Sequence, residues 1–251
     1  MSRIKTFVAA LLAFSFGFSA MEAYCQAEFE QHIITTSFMD GAEIIVEDLD
    51  QDGDPDLVAV GGNSQNTGNL SWFENDGNNQ FTEIQIQTSW IGIRSVRAAD
   101  INGDGHTDLV AAAWKSNQVA WFANDGNQQF TRHFIDMSFA GAHTVDIKDI
   151  NNDGHPDVLC SGFDYYGHNG EIAWWENDGE DQQTWLKHTV YDGFQQSPFV
   201  YAEDLDNDDD LDIMACGELN NNILWWENQD GGFETMHKVD TNIYGIHTVL
   251  A

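Results

Sequence analysis

The sequence predicts an all-β chain of repeated four-stranded units, and three recurring motifs lead there. An Asp-rich segment, Asp48-Leu-Asp-Gln-Asp-Gly-Asp-Pro-Asp56, returns as Asp100-Ile-Asn-Gly-Asp-Gly-His-Thr-Asp108, Asp149-Ile-Asn-Asn-Asp-Gly-His-Pro-Asp157 and Asp204-Leu-Asp-Asn-Asp-Asp-Asp-Leu-Asp212. Each is followed by an aromatic segment ending in a turn: Ser71-Trp-Phe-Glu-Asn-Asp-Gly77, Ala120-Trp-Phe-Ala-Asn-Asp-Gly126, Ala173-Trp-Trp-Glu-Asn-Asp-Gly179 and Leu224-Trp-Trp-Glu-Asn-Gln-Asp-Gly231. An aromatic residue then opens a further strand, at Phe81, Phe130, Trp185 and Phe233. The order never varies, and the repeat is about fifty residues long.

The third copy shows how one unit reads. Ala142 to Lys148 precedes the Asp segment, Val158 to Gly162 follows it, Glu171 to Glu176 comes next and Thr184 to Val190 closes the unit. All four stretches are rich in β-branched and aromatic residues and are bounded by Gly, Asn and Asp. Asn-Asp-Gly between the last two is a hairpin signal. Adjacent bulky residues such as Trp174-Trp175 load both faces of one strand, as a sheet packed between two others requires. Such units are blades of a β-propeller, with Trp72, Trp121, Trp174 and Trp225 expected between blades. The blades are expected over 41–87, 92–136, 141–191 and 196–240.

The flanking segments repeat parts of a blade. Residues 29–38 resemble the closing strand that begins at Phe130, which predicts an orphan outer strand. Residues 244–251 match the opening strand at Gly141-Ala-His-Thr-Val145. About four and a half blades are thus expected, as a truncated part of a larger ring whose further C-terminal blades or domains complete it. The unpaired edges predict oligomeric or sticky behaviour.

The first residues read as an address. Arg3 and Lys5 precede the apolar run from Phe7 to Phe18, and Cys25-Gln26-Ala27 offers a cleavage site, with an earlier cut near Ala20 as the alternative. The run is too short to span a bilayer, and Glu22-Ala23-Tyr24 makes a poor lipobox before Cys25. Residues 1–27 are therefore read as a signal peptide, which predicts a secreted or cell-surface protein. Two cysteines remain beyond it, Cys160 and Cys216, one position out of step within their units, so their side chains should point to opposite faces and stay free thiols.

Composition narrows the partners. Among 251 residues, 42 are acidic and 9 basic, for a formal charge of −33. Nucleic acid and anionic membrane call for the opposite sign. With 9 Trp, 16 Phe and 6 Tyr the chain packs a core, so the acidity is not that of a disordered segment. Cations between the carboxylates account for it.

Oxygen donors at positions 1, 3, 5 and 9 of the segment, with the carbonyl at 7, suit one hard cation. The four sets are Asp48, Asp50, Asp52 and Asp56 with Asp54; Asp100, Asn102, Asp104 and Asp108 with His106; Asp149, Asn151, Asp153 and Asp157 with His155; and Asp204, Asp206, Asp208 and Asp212 with Asp210. All-oxygen ligation points to Ca²⁺ rather than Zn²⁺ or Mg²⁺. Gly53, Gly105 and Gly154 occupy position 6, where a sharp turn is needed. The fourth copy has Asp209 there and is expected to be strained and weaker. An EF-hand is excluded, because position 12 is Ala59, Ala111, Cys160 or Ala215 rather than Glu and the flanks are strands.

These loops, their spacing and the Trp-Trp-Glu-Asn-Asp-Gly signature resemble the FG-GAP/VCBS repeat proteins, which include the integrin α-subunit head, certain fungal lectins and secreted repeat proteins of environmental bacteria. The resemblance extends from Phe29 to Ala251. It implies a seven-bladed ring with calcium on one face, and it implies little about activity.

The face opposite the loops should carry any ligand. Trp114-Lys115-Ser116-Asn117, Phe163-Asp-Tyr-Tyr-Gly-His168 and Glu218-Leu-Asn-Asn221 join second to third strands. Trp114, Tyr165 and Tyr166 do not recur and are ligand candidates, whereas Phe38, Phe139 and Phe194 recur with the repeat as plugs, in company with Trp90. Six residues before each loop stand Ala42, Arg94, His143 and Pro198, matched by His247. Arg94, His143 and His247 suit an anionic sugar, or a proton abstraction in a lyase; a hydrogen-bonded channel lining is the plainer alternative. The motifs of nucleophilic, zinc-protease and phosphate-binding sites are absent. A binding or adhesion module for a glycan or cell-surface partner is the first expectation. A polysaccharide-processing enzyme is second, and a structural scaffold third.

Overall fold

The computed structural model describes residues 31–38, 40–62, 68–163, 170–179, 184–194, 199–217, 222–229 and 231–240. They form four separate four-stranded sheets, each a meander of antiparallel neighbours. The first holds β1 (Gly41–Glu47), β2 (Asp56–Gly61), β3 (Asn69–Asn75) and β4 (Phe81–Gln87). The second holds β5 (Ile93–Ala99), β6 (Asp108–Ala113), β7 (Gln118–Asn124) and β8 (Phe130–Asp136). The third holds β9 (Ala142–Lys148), β10 (Asp157–Gly162), β11 (Gly170–Asn177) and β12 (Trp185–Phe194). The fourth holds β13 (Phe199–Glu203), β14 (Asp212–Gly217), β15 (Asn222–Gln229) and β16 (Gly232–Asp240). This is the all-β arrangement the repeat predicts, and it is consistent with propeller blades.

Alternation of side chains along the second and third strands makes each sheet two-sided. Leu109, Ala111, Ala113, Ala120 and Phe122 pack against Val58, Val60, Leu70 and Trp72 of the first sheet. Their neighbours Val110, Ala112, Val119 and Trp121 pack against Val158, Cys160, Ala173 and Trp175 of the third. Leu159, Ile172 and Trp174 then meet Ile213, Ala215, Leu224 and Trp226 of the fourth. Trp174 and Trp175 serve opposite faces, as their adjacency requires. Cys160 and Cys216 are buried free thiols. Cys160 faces the second sheet, while Cys216 lies out of phase with Ile213 and Ala215 and so faces away from the third.

The first strands of successive sheets are joined by polar contacts. Glu43 accepts the Val96 N–H at 2.8 Å, Ser95 Oγ accepts that of Val145 at 3.2 Å, and Asp146 accepts that of Ala202 at 3.2 Å. Arg97 reaches Glu43 on one side at 2.8 Å and Asp146 on the other at 4.0 Å. Each Asp-rich segment connects a first strand to a second.

Trp90 and Phe139 are buried between sheets as plugs. Phe38 meets Phe73, Trp90 meets Phe122 and Phe139 meets Trp175, all edge to face. Phe38 belongs to a stretch, 31–38, that pairs with none of the four described sheets. Within those sheets the third strands β3, β7, β11 and β15 pair with the fourth strands β4, β8, β12 and β16. The signal peptide 1–27, the opening strand expected over 244–251 and His247 lie outside the described residues.

Candidate metal centres

Each Asp-rich loop winds its backbone N–H groups onto its own carboxylates. Asp48 accepts the N–H of Asp52 at 3.1 Å and of Gly53 at 3.0 Å. Asp100 does the same for Asp104 and Gly105, and Asp149 for Asp153 and Gly154. The position-5 carboxylate accepts the N–H of position 7, from Asp52 to Asp208. Two residues per loop take the left-handed region. Position 6 does so at Gly53, Gly105, Gly154 and Asp209, and position 4 at Gln51, Gly103, Asn152 and Asn207. The requirement at position 6 is legible as glycine in three copies; the one at position 4 is met by Gln, Gly and Asn, residues with no common signature.

Position 9 is the anchor. Asp56, Asp108, Asp157 and Asp212 are fully buried at the start of each second strand. One oxygen of each accepts the N–H of position 2, at Leu49, Ile101, Ile150 and Leu205, within 2.9–3.1 Å. The other accepts the N–H of Asn75, Asn124, Asn177 and Asn228, within 2.7–2.9 Å. Burial raises the carboxyl of Asp108 to about 6 and of Asp157 to about 7 against the pull of these bonds, and raises that of Asp212. Each oxygen keeps a second lone pair for a cation.

Those asparagines, which the turn signal marks only as hairpin formers, also tie neighbouring loops together. Beyond the bond to position 9, Asn124 donates to the carbonyl of Leu49, Asn177 to that of Ile101 and Asn228 to that of Ile150, each in the preceding sheet's loop. Their invariance across the four copies was the available signal, since the Glu before them becomes Ala123 in the second. Adjacent loops also touch directly. Gln51 donates to the Gly105 carbonyl at 2.6 Å, and Asn152 to Asp210 at 2.8 Å.

Position 7 has a second structural role. The side chains of Asp54, His106 and His155 lie over the turn glycines Gly77, Gly126 and Gly179, so close that a Cβ there would collide with them. These glycines also have positive φ. The turn glycine therefore serves both the hairpin and the loop packed above it.

The donor chemistry fits a hard cation. In the first loop Asp48, Asp50 and Asp56 bring carboxylate oxygens within 4.8 Å of one another, and in the fourth Asp204, Asp206 and Asp212 do so. Asp50 and Asp206 have raised carboxyls through partial desolvation and the repulsion of neighbouring aspartates. Glu74, from β3, joins Asp50 and Asp52 in a further cluster. In the second and third loops Asn102 and Asn151 replace one charge and donate to Asp104 and Asp153 at 3.0 Å.

Of the ligand candidates, Arg94 and His143 are brought together. Arg94 Nε donates to His143 Nε2 at 3.1 Å, and burial reinforced by the guanidinium lowers the imidazole to about 4. His143 is neutral at neutral pH, with its Nε2 lone pair engaged. Trp114 is half-buried, its backbone N–H bound to the Gly92 carbonyl and the Lys115 ammonium 5.2 Å from its ring centre. Tyr165 and Tyr166 lie outside the described residues, as does the 218–221 connection.

A family model described as an FG-GAP-like repeat matches residues 48–111, 100–160 and 149–215. No curated protein matches the chain.

Proposed function

Because the chain belongs to the FG-GAP-like repeat family, we propose that it is an exported, calcium-stabilised β-propeller module that binds a glycan or a cell-surface partner. The observation that carries the calcium reading is the convergence of three carboxylates within 4.8 Å in the first and fourth loops, on a backbone already folded around them. Asp48, Asp50, Asp52 and Asp56 and their counterparts would hold the ion, with the carbonyls of Asp54, His106, His155 and Asp210. Bound calcium supplies positive charge where carboxylates otherwise repel and ties the ends of each loop together. Neighbouring loops share hydrogen bonds, so order in one supports order in the next. Calorimetric titration of the chelated chain tests this; absence of calcium binding in the micromolar to millimolar range overturns it.

A binding role is favoured over catalysis by the state of His143. A proton acceptor needs a free lone pair and a pKa near the working pH, and this imidazole has neither. Arg94 remains exposed beside it and suits an anionic group such as a uronic acid. A glycan array probed with the calcium-loaded chain tests the ligand class. Retention of acidic glycans without new unsaturated or reducing ends supports the reading, and turnover overturns it in favour of a lyase. Export rests on the leader-like residues 1–27, and recovery of the chain inside the cell with that segment intact would refute it.

A further inference from the structure

The glutamate two residues after the first Trp of each third strand meets a different neighbour from sheet to sheet. In the third sheet His188 lies opposite Trp174, stacks on its ring at 4.2 Å and donates from Nε2 to Glu176 at 2.9 Å. In the fourth, His237 lies opposite Trp225, stacks on it at 4.2 Å and donates to Glu227 at 3.0 Å. In the second, His133 stacks on Trp121 at 4.7 Å, but Ala123 replaces the glutamate. In the first, the residue opposite Trp72 is Ile84, which offers no donor. There the glutamate is Glu74, and its carboxylate comes within 4.8 Å of those of Asp50 and Asp52.

Strand geometry explains the pattern. Residues two apart share a face, so Trp and Glu lie side by side, and the residue opposite the Trp reaches the Glu diagonally. Stacking on the Trp fixes the plane of the imidazole, which leaves Nε2 directed at the carboxylate. Glu176 and Glu227 are thereby tied to the fourth strand, and among the described residues neither joins a cluster with its loop. Glu74 lacks that tie and lies instead beside two aspartates, where like charges repel unless a cation stands between them.

We propose, on the calcium reading above, that the fourth-strand residue opposite the Trp decides whether the third-strand glutamate serves the ion. Ile84 releases Glu74 to become a further ligand of the first loop, whereas His188 and His237 hold Glu176 and Glu227 off theirs. The first loop then offers five carboxylates, from Asp48, Asp50, Asp52, Asp56 and Glu74, against four in the fourth loop and three each in the second and third. Ligand charge sets calcium affinity in such sites, so the first loop binds most tightly. His188 and His237 are positioning residues, acting on calcium only through the glutamates they hold.

Calorimetric titration of the full chain with calcium should resolve a tightest class of site that Asp52→Ala removes. Glu74→Gln should weaken that class by about tenfold or more without lowering the melt in chelator. Ile84→His should weaken it too with Glu74 still present, whereas Ile84→Leu, which alters packing but brings no donor, should not. His188→Ile should act in the opposite sense and tighten the third loop, as Glu176 is released; damage to the fold does not produce a gain in affinity. If Ile84→His fails to melt cooperatively, His188→Ile decides. A Glu74→Gln isotherm identical to the parent's overturns the role of Glu74 and leaves the calcium reading standing. A loss in Glu74→Gln with no response to Ile84→His or His188→Ile overturns the control by the fourth strand. A parent that binds no calcium overturns this proposal and the calcium reading together.

Discussion

The third and fourth loops share a nine-residue frame and differ where it turns. At position 6 Gly154 has φ 93° and Asp209 has φ 75°, so an aspartate occupies a conformation that costs most L-residues roughly 1–2 kcal/mol. The bonds record the difference. Asp149 holds the N–H groups of positions 5 and 6 at 3.0 and 2.9 Å, whereas Asp204 holds them at 3.3 Å and takes a 2.7 Å bond from Asn207 instead. Position 3 differs in the opposite sense: Asn151 makes a neutral link to Asp153, while Asp206 adds a charge. The third loop is thus better folded without a cation, and the fourth has more charge to gain from one. Backbone ease and ligand charge are separate variables in this repeat.

Chelation should produce the largest effect on that comparison. Each occupied loop adds about 2.7 kcal/mol at a hundredfold excess of ion over its dissociation constant. Melting with calcium and with chelator should therefore differ by many degrees, and superimposable melts would refute calcium stabilisation. Next is position 9, where the loops are alike. Asp157→Ala and Asp212→Ala each remove two backbone bonds to a buried carboxylate, at 2.8–3.0 Å. Each should cost about 3 kcal/mol or more in denaturant unfolding. A mild loss at Asp212 alone would show that the fourth loop is disengaged even there.

Acidity gives an intermediate effect with a definite sign. Asp108 and Asp157 are raised in the folded chain to about 6 and about 7 from 3.8. Folded chelated protein therefore binds more protons than unfolded chain between these values. Their contribution is full below pH 3.8 and is lost as pH rises through 6 and 7. The chelated chain should melt lower at pH 8 than at pH 5, and calcium, which requires the ionised form, should abolish or invert that slope. Parallel profiles with and without calcium would remove these carboxylates from the ion's surroundings. The smallest expected effect is the swap at position 6. Gly154→Asp should destabilise by about 1 kcal/mol and Asp209→Gly should stabilise by up to the same amount, read by chelated melts. No change from Asp209→Gly would mean that the longer bonds of the fourth loop have another origin.

Much of the fold was legible because its signals are local. The opening strand of the third unit lies at Ala142–Lys148 as its composition predicts, and the unit's other strands differ from expectation only at their ends. Strand, turn and loop each depend on φ preferences and alternation within a few residues. The loop carboxylates were legible for the same reason, all four lying within nine residues.

By itself the sequence determined the number and order of the four sheets, the two-sided packing implied by Trp174-Trp175 and the identity of the acidic donors. Tertiary structure alone decided how the units connect. Asn124, Asn177 and Asn228 reach the preceding loop across more than seventy residues of chain, and Arg94 reaches His143 across forty-nine. Such contacts depend on how one sheet lies against the next, and that placement comes from packing summed over whole faces. No short motif encodes it.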